Sequence, residues 1–223
     1  MKLKVLLPAL TCAVMMVFTS CAQKTEAGKN KTSVKNTKTT MNENAKLDTI
    51  TLGGGCFWCV EAIYQRLNGV VSVTSGYAGG KVKNPSYREV CSGLTGHAEA
   101  AQIVFDANVI SLAEIFQVFF KVHDPTTLNR QGADEGTQYR SVIFYKDDAQ
   151  KKVAEEVKSG LDKSGAFNAP IVTEISPYTN FYKAEDYHQN YYNLNKNSNS
   201  YCQIVIVPKI EKFEEYFKDK LKK

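Results

Sequence analysis

The residues best suited to chemistry lie in one segment, residues 53–61, which reads Gly-Gly-Gly-Cys-Phe-Trp-Cys-Val-Glu. It holds the only tryptophan of the chain and two of its six cysteines, Cys56 and Cys59. A short strand is predicted over 48–52, and apolar residues at helical spacing from Val60 onward predict a helix that begins near Cys56. Free N–H groups and the positive end of the helix dipole favour a thiolate there, so Cys56 is a candidate nucleophile. The alternative is a buried structural cysteine beneath the Phe-Trp pair.

The elements that must position this segment alternate between strand and helix patterns in an irregular order. The pattern predicts an α+β fold in which helices pack on a mainly antiparallel or mixed sheet, with long irregular loops. The clearest helix is an apolar stripe over 112–120, which the capping box Ser111-x-x-Glu114 opens. Further strands are predicted over 70–77, 98–105, 141–145, 171–175 and 203–207, helices over 149–161 and 208–221, and loops over 76–86, 124–139 and 193–201.

The first 46 residues are predicted to be a targeting signal and a tether rather than part of the folded domain. Residues 1–20 combine a basic start with an apolar run too short to span a bilayer, and small residues precede Cys21. This resembles a bacterial lipoprotein signal peptide, with Cys21 as the lipidated residue. Residues 21–46 are rich in Lys, Thr, Asn and Ser, which predicts a lipid-anchored flexible tether on the periplasmic or cell-envelope face of a membrane. Cleavage by the ordinary signal peptidase, or a cytosolic protein that keeps an apolar start, are the alternatives.

The rest of the chain, residues 47–223, is long enough to form a single domain with its own core. The whole chain of 223 residues carries a net charge of +5. The first 46 residues hold eight lysines against two acidic residues, so the domain itself is close to neutral. Nucleic acid binding therefore has no electrostatic support.

The domain contains four cysteines, Cys56, Cys59, Cys91 and Cys202, an even number that permits either a disulfide framework or redox chemistry. A structural zinc site needs closely spaced ligand pairs. Only Cys56 and Cys59 form such a pair, so neither a metal nor a cofactor is predicted. Cys91 is expected to be a buried structural thiol, and His188 a hydrogen-bonded structural residue.

Further polar motifs lie in predicted loops and are difficult to explain by packing. After Gly-Cys-Phe-Trp the chain reads Pro-Ser-Tyr at 85–87, Thr-Gly-His-Ala-Glu at 95–99, Asp-Pro-Thr-Thr-Leu-Asn-Arg-Gln-Gly at 124–132, Gly-Thr-Gln-Tyr-Arg-Ser at 136–141, Glu-Asp-Tyr-His-Gln at 185–189 and Tyr-Cys at 201–202. This ordered set closely resembles the A-type peptide methionine sulfoxide reductases (peptide-methionine (S)-S-oxide reductases) over residues 49–207. The resemblance implies a ferredoxin-like two-layer sandwich. It also implies an enzyme that reduces the S epimer of methionine sulfoxide in proteins and peptides.

The resemblance assigns candidate roles to residues at matching positions. Cys56 is implied as the nucleophile that attacks the sulfoxide and becomes a sulfenic acid. Glu99 is implied as the proton donor, which at neutral pH requires burial to raise the pKa of its carboxyl group. The other implied substrate contacts are Tyr87 and Tyr139 on the sulfoxide oxygen, Asp134 as the residue that orients the substrate, and Phe57 and Trp58 around the methyl group.

Two cysteines are candidates for resolving the sulfenic acid by closing a disulfide with Cys56. Cys202 matches the usual resolving position, and a flexible C-terminal region is expected to let it travel. Cys59 stands where many relatives have glycine, and the Cys56-x-x-Cys59 pair is able to close a disulfide itself. The resemblance also implies recycling by a thioredoxin-like dithiol reductant, and a monomer is expected.

Two rival functions stay open. A thiol–disulfide oxidoreductase would use Cys56 and Cys59 and would not need Glu99. A lipoprotein without enzymatic activity would bind exposed hydrophobic or methionine-rich segments through Phe57 and Trp58. Only sulfoxide chemistry needs both a proton donor and phenols that bind oxygen, so the carboxyl group and the tyrosines discriminate among the three hypotheses.

Overall fold

The computed structural model of the protein describes residues 44–223. The predicted signal peptide over 1–20, the predicted lipid site Cys21 and most of the tether predicted over 21–46 lie outside this range. The first strand begins at Leu47. Within residues 44–223, no helix is both long enough and apolar enough to cross a membrane.

Strands of the described chain form one six-stranded mixed sheet and a separate two-stranded ribbon. They are β1 (Leu47–Gly54), β2 (Val70–Ala78), β3 (Ala98–Asp106), β4 (Arg130–Gln131), β5 (Asp134–Glu135), β6 (Ser141–Tyr145), β7 (Glu174–Pro177) and β8 (Phe181–Lys183). The order across the large sheet is β7-β6-β1-β3-β2-β8, and β4 pairs with β5 in the ribbon. Every pair in the large sheet is antiparallel except β6 with β7, which is parallel. The predicted mixed sheet is therefore confirmed.

Helices connect these strands and pack on the large sheet. They are α1 (Phe57–Tyr64), α2 (Tyr87–Cys91), α3 (Leu112–Val122), α4 (Asp148–Ser164), α5 (Tyr191–Asn195) and α6 (Val207–Tyr216), with 3-10 turns at Thr137–Tyr139, Asp186–His188 and Lys218–Lys220 and a π-helical stretch, Cys202–Ile206, directly before α6. Helix α1 lies against β1, β2 and β3, and α6 packs on both α1 and α3. The protein has the α+β architecture that the sequence predicts.

The main core lies between these helices and one face of the sheet. Ile50 and Leu52 of β1 and Ile103 of β3 are fully buried in it, as the two-residue period of a strand requires. On the other face, a smaller apolar cluster includes Phe144 of β6. Burying a Leu or Ile side chain contributes roughly 1.5–3 kcal/mol. A shift of β1 by one residue would turn Ile50 and Leu52 out of the main core, so their burial fixes the register of this strand. That register matters because β1 ends just before Cys56.

Helix α3 supports the turn after β1. The Ser111 Oγ accepts a hydrogen bond from the Glu114 N–H at 3.2 Å, and Glu114 Oε2 accepts one from the Ser111 N–H at 2.9 Å. This is the predicted capping box. The helix buries Phe116 and Phe119, and a Cβ atom added to Gly54 would lie 3.0 Å from the Phe119 ring. The capped helix thus packs directly beneath the end of β1.

The C-terminal tail folds back onto the end of α1. The Asn68 N–H donates to the Lys220 carbonyl oxygen at 2.7 Å, and the Lys222 N–H donates to the Arg66 carbonyl oxygen at 2.8 Å. Lys220 Nζ also forms an ion pair with Glu114 Oε1 of α3 at 2.6 Å. The tail therefore ties the end of the chain to two helices of the core.

The segment around Cys202 differs from its prediction. Residues 203–207, predicted as a strand, are helical, and most of the loop predicted over 193–201 is replaced by the end of α5, a turn and the start of the last helical run. A run of β-branched residues favoured the strand, but the side chains that pack in the core recur at helical spacing. Cys202 is consequently fully buried in a helix rather than placed in a flexible loop. The buried residues that set this spacing are Cys202, Ile206, Ile210 and Phe213.

Candidate active site

Cys56 lies at the turn between β1 and α1, immediately before the first residue of the helix. Gly55 at this turn has a φ of +87°, a left-handed conformation that glycine adopts at low cost. A Cβ atom on Gly55 would also lie 2.6 Å from side-chain carbons of Gln131. The glycine therefore permits a sharp turn, which leaves Cys56 packed among other side chains with 6% of its surface exposed.

Glu99 lies in the middle of the sheet on β3, directly opposite Tyr77 of β2. Only 1% of its surface is exposed, and its Oε2 accepts a hydrogen bond from the Phe57 N–H at 3.1 Å. Burial raises the pKa of Glu99 to about 8, although the Phe57 N–H opposes this shift and negative groups nearby add to it. At pH 7 this carboxyl group is therefore mostly protonated and able to donate a proton.

The helix start does not act on Cys56 as the sequence predicts. The first N–H of α1, that of Phe57, faces Glu99 instead of the Cys56 sulfur. Burial raises the pKa of Cys56 well above its ordinary value, and the neighbouring Cys59 and Glu99 raise it further. The contact with the Tyr201 hydroxyl acts in the opposite direction. The predicted low pKa is wrong because removal from water outweighs the backbone groups at this turn.

Cys59 lies one turn further along α1 and is 2% exposed. Its thiol is within hydrogen-bonding reach of the Cys56 thiol, and the Lys209 Nζ of α6 donates to its sulfur at 3.6 Å. The Cys56 thiol, followed by Lys209, lowers the pKa of Cys59 to about 7 against the opposing effect of burial. Of the two neighbouring thiols, Cys59 is therefore the more easily ionised.

Tyr87 and Tyr139 approach the site from two short elements. Tyr87 is the first residue of α2, which a Ser86 capping box begins, and its N–H donates to Glu185 Oε1 at 2.9 Å. Tyr139 ends the 3-10 turn before β6. Burial raises the pKa of both hydroxyls; the Cys91 thiol adds to the shift of Tyr87, and Glu99 adds to both shifts, so the three side chains are neighbours. Both phenols stay neutral hydrogen-bond donors at physiological pH.

Asp134 of β5 is bound by a tyrosine that the sequence does not single out. The Tyr201 hydroxyl donates to Asp134 Oδ2 at 2.6 Å. The same hydroxyl interacts with the Cys56 thiol, and burial followed by Cys56 raises the pKa of Tyr201. Tyr201 thus connects the ribbon that carries Asp134 to the turn that carries Cys56.

Phe57 and Trp58 form an aromatic wall beside Cys56. Phe57 is fully buried and stacks on Tyr87, with ring centroids 6.5 Å apart and an interplanar angle of 19°. Trp58 is only partly buried and stacks on Tyr191 at 3.7 Å and 5°. Its Nε1–H donates to His188 Nδ1 at 3.1 Å. The wall is held rigidly, as an apolar pocket for a methyl group requires.

His188 is buried and hydrogen-bonded, as expected. Because Nδ1 accepts from Trp58, the neutral ring carries its proton on Nε2, which lies 3.9 Å from Glu185 Oε2. Burial lowers the pKa of His188, so the ring is neutral at pH 7. His188 therefore orients Trp58 and does not add a charge to the pocket.

The four cysteines of the described chain are all free thiols. Cys202 is fully buried, and burial followed by the charge of Cys59 raises its pKa. Cys91 is exposed, so the prediction of a buried structural thiol is wrong. It ends the five-residue helix α2, in which only Val90 is buried, and the helix is too short to bury a second face.

The site joins a nucleophilic thiol, a protonated carboxyl group, two neutral phenols and an apolar wall. Within residues 44–223, no group of three or more His, Cys, Asp or Glu side chains is arranged to hold a metal ion. The chemistry that such an arrangement supports is attack by sulfur with proton delivery to an oxygen leaving group.

A sequence profile described as peptide methionine sulfoxide reductase matches residues 48–221. The chain belongs to this family. It is 53% identical over 176 residues to a peptide methionine sulfoxide reductase of Saccharolobus solfataricus, which covers 79% of this chain and 98% of that protein. It is 56% identical over 168 residues to a relative of the same name from Leptospira borgpetersenii, which covers 75% of this chain and 93% of that protein.

Solved structures of methionine sulfoxide reductases are similar to the described domain. The reduced form of Mxr1 from Saccharomyces cerevisiae has a TM-score of 0.64 at 39% identity and covers 73% of this chain and 93% of that chain. Methionine sulfoxide reductase A of Corynebacterium diphtheriae has a TM-score of 0.60 at 36% identity and covers 67% of this chain and 76% of that chain.

Within this methionine sulfoxide reductase fold, several site residues were not predicted from the sequence. The chain has twelve tyrosines, and the sequence does not single out Tyr191 or Tyr201 among them, although Tyr201 stands next to Cys202 in a recognised motif. Glu185, in the Glu-Asp-Tyr-His-Gln motif, accepts hydrogen bonds from both the Tyr77 hydroxyl (2.8 Å) and the Tyr87 N–H (2.9 Å). Lys209 had no sequence signal, because its contact with Cys59 depends on how α6 packs on α1.

Proposed function

We propose that the protein reduces the S epimer of methionine sulfoxide in proteins and peptides to methionine. The observation that carries this proposal is the carboxyl group of Glu99, buried beside the Cys56 turn, with a pKa raised to about 8. Glu99 is bound to the N–H of the residue that follows Cys56. A protonated acid next to a nucleophilic thiol is what sulfoxide reduction needs.

The proposed reaction has three steps. Cys56 gives up its thiol proton as its sulfur attacks the sulfoxide sulfur, Glu99 donates a proton to the oxygen, and methionine leaves while Cys56 keeps the oxygen as a sulfenic acid. A second cysteine thiolate then attacks the Cys56 sulfur, so that a disulfide forms and the oxygen leaves as water. A dithiol reductant finally exchanges with the disulfide and restores both thiols.

The remaining side chains bind and orient the substrate in this proposal. The hydroxyl groups of Tyr87 and Tyr139 donate hydrogen bonds to the sulfoxide oxygen, which gains negative charge during attack. Phe57 and Trp58 enclose the methyl group and exclude water. Asp134 orients the substrate through the polar end of the pocket, where Tyr201 holds its carboxylate.

The thiol–disulfide oxidoreductase alternative is not favoured. That chemistry has no use for a buried proton donor or for neutral phenols around it. The family to which the chain belongs reduces a sulfoxide, and the neighbours of Cys56 fit a sulfoxide oxygen. Binding without catalysis likewise leaves the raised pKa of Glu99 without a role.

The cellular setting is also part of the proposal. The basic and apolar start of the sequence, followed by Cys21, supports an exported lipoprotein tethered to a membrane on its periplasmic or cell-envelope face. The Lys- and Asn-rich residues 21–46 would give the domain reach from that surface. We expect a monomer that repairs oxidised methionines of exported proteins and is recycled by a thioredoxin-like dithiol protein.

A single-turnover experiment without reductant tests the proposed reaction. The protein is mixed with a peptide that contains methionine-S-sulfoxide, and free methionine side chains are counted by mass spectrometry. We expect about one methionine per protein molecule, none for Cys56→Ser, and none from the R epimer. Cys91→Ser, which removes an exposed thiol but keeps a hydroxyl able to hydrogen-bond to Tyr87, should release methionine as the wild type does. Formation of methionine by the Cys56→Ser variant would refute the proposal.

A further inference from the structure

We propose that Cys59, whose sulfur contacts the Lys209 ammonium group, is the residue that resolves the Cys56 sulfenic acid, and that Lys209 is a positioning residue for this step. The inference rests on the proposed function, because a sulfenic acid forms only after Cys56 attacks a sulfoxide. It places the second thiol one helical turn away from the nucleophile. The other candidate, Cys202, is then not the first partner of Cys56.

The first support is the proximity of the two sulfurs at the start of α1. The Cys59 N–H donates to the Cys56 carbonyl oxygen at 3.1 Å, and the two thiols share a hydrogen bond. Residues three apart on a helix have Cβ atoms about 5–6 Å apart, whereas a disulfide needs about 3.5–4.5 Å. Because Cys56 precedes the helix and has a ψ of 124°, a small rotation at this turn closes the gap without unwinding α1.

The second support is the position of the Lys209 charge. Its ammonium group lies 3.6 Å from the Cys59 sulfur. Among the described residues, none of the ion pairs involves Lys209, so its charge is not shared with a carboxylate. Once Cys56 has become a sulfenic acid, its thiol no longer supports the Cys59 thiolate. Lys209 is not altered by the first step and remains in contact with the Cys59 sulfur, where its positive charge favours the thiolate.

The third support is the location of Cys202. It is fully buried in the π-helical stretch before α6, and its backbone is part of a continuous helical run. The charge of Cys59 contributes to the raised pKa of Cys202, so Cys59 is a neighbour of both other thiols. An attack by Cys202 on Cys56 would require the helix to leave its place in the core.

The groups that surround Cys59 decide how its charge depends on pH. Lys209 is the positive group, and Asp134 opposes it by raising the pKa of Cys59. His123 lines the small cavity behind Cys59, but burial lowers its pKa to about 4, so it is neutral. The remaining titratable neighbours are Cys56, Glu99, Tyr201, Cys202 and Tyr64, which lines the same cavity and which burial keeps neutral by raising its pKa. Loss of Lys209 leaves no positive group among them.

The resolving step balances without any added reagent. The Cys59 thiolate attacks the sulfur of the Cys56 sulfenic acid, the new S–S bond forms and the S–O bond breaks. The oxygen leaves with its hydrogen and with a proton from solvent, as one water molecule. Over both steps, the two cysteines lose two electrons, and these are the two electrons that reduce the sulfoxide.

Rapid quenching distinguishes the two resolving cysteines. The protein reacts once with the sulfoxide peptide, is acid-quenched at short times, and is mapped by mass spectrometry. We expect a Cys56–Cys59 disulfide before any that contains Cys202. A sulfenic acid trap should label Cys56 in Cys59→Ser but not in Cys202→Ser. A first disulfide between Cys56 and Cys202, or trapping only in Cys202→Ser, overturns the inference while the methionine burst still supports the proposed function.

Variants of Lys209 test the positioning role. In Lys209→Met the pKa of Cys59 rises. For each pKa unit, the fraction of Cys59 present as thiolate at low pH falls about tenfold. The remaining thiolate becomes about threefold more nucleophilic. We expect disulfide closure to slow about threefold at pH 6 and to match or exceed the wild-type rate near pH 9. Lys209→Arg should restore the wild-type profile, and Lys212→Met, which removes an exposed lysine of the same helix, should not shift it.

The rate of closure is counted per methionine released, so misfolded molecules do not contribute. A Lys209→Met profile that superimposes on that of the wild type overturns the role of Lys209. So does a slower closure that is the same at every pH, because a purely structural defect would not depend on protonation.

Discussion

Glu99 and Cys59 flank the first turn of α1, and both are almost completely buried. Burial raises the pKa of Glu99 to about 8, so the acid keeps its proton. The pKa of Cys59 falls to about 7, because the Cys56 thiol and the Lys209 ammonium offset burial, so this thiol loses its proton. The difference shows that burial alone does not decide charge. The number and sign of the groups that face each side chain decide it.

Removal of the acid should have the largest effect. Glu99→Gln keeps the volume of the side chain and an oxygen that accepts from the Phe57 N–H, but it has no proton to give. We expect the rate of methionine formation in a single turnover to fall about 10²–10⁴-fold. Glu211→Gln, on the exposed side of α6, serves as the matched control. A loss smaller than tenfold would mean that the proton comes from another group.

The same substitution should change the pH dependence of stability. The folded protein keeps a proton on Glu99 up to pH 8, whereas an unfolded carboxyl group loses it near its ordinary pKa of 4.5. The unfolded state therefore binds fewer protons in this window, and the contribution of Glu99 to stability falls as the pH rises. Relative to wild type, Glu99→Gln should gain roughly 1–4 kcal/mol of unfolding free energy between pH 5 and pH 9. Urea denaturation of both proteins at pH 5 and pH 9 measures this change. If the difference in unfolding free energy between Glu99→Gln and wild type is the same at both pH values, the pKa of Glu99 is not raised.

A smaller effect is expected from the Tyr201 hydroxyl, which contacts both Asp134 and Cys56. Tyr201→Phe removes the hydrogen bond to Asp134 and the one that lowers the pKa of Cys56. We expect methionine formation at pH 7 to slow roughly tenfold, the effect of one buried hydrogen bond. Stopped-flow measurement on Tyr216→Phe, an exposed tyrosine of α6, provides the control. Equal rates for Tyr201→Phe and wild type would remove Tyr201 from the chemistry.

The smallest predicted change lies in the aromatic wall. Trp58→Phe loses the donor to His188 and part of the stacking on Tyr191, a contact worth about 0.5–1.5 kcal/mol. We expect KM for the sulfoxide peptide to rise about two- to tenfold, with a smaller fall in kcat. Steady-state kinetics with excess dithiol separates the two. A fall in kcat alone would show that Trp58 acts on the reaction and not on binding.

Local signals in the sequence were sufficient for much of the fold. The capping box at Ser111 and Glu114 predicted the start of α3, and a run of strand-forming residues predicted β6 with its observed bounds of Ser141–Tyr145. Other elements were shifted, since the strand predicted over 171–175 begins only at Glu174. Strands as short as β4, β5 and β8 have too few residues to show a period, so pairing partners alone define them.

The residues of the site were predictable, but their electrostatics were not. Motifs and their order pointed to Cys56 and Glu99, and the structure brings the two into one buried site. The charge on each thiol depends on contacts between segments that are far apart in sequence, such as Lys209 with Cys59. The same is true of Cys202, whose burial follows from the packing of α6 on α1.

The docked C-terminal tail also sets a limit on how the protein can be handled. Its hydrogen bonds to Asn68 and Arg66 fasten the end of α6, the helix that carries Lys209 and follows Cys202. An affinity tag fused behind Lys223 would release this end and let the helix fray toward the thiols. The hydrogen-bonded amide hydrogens of Asn68 and Lys222 would then exchange faster with solvent. Hydrogen exchange at these two positions is thus a direct check that α6 is in place in a given preparation.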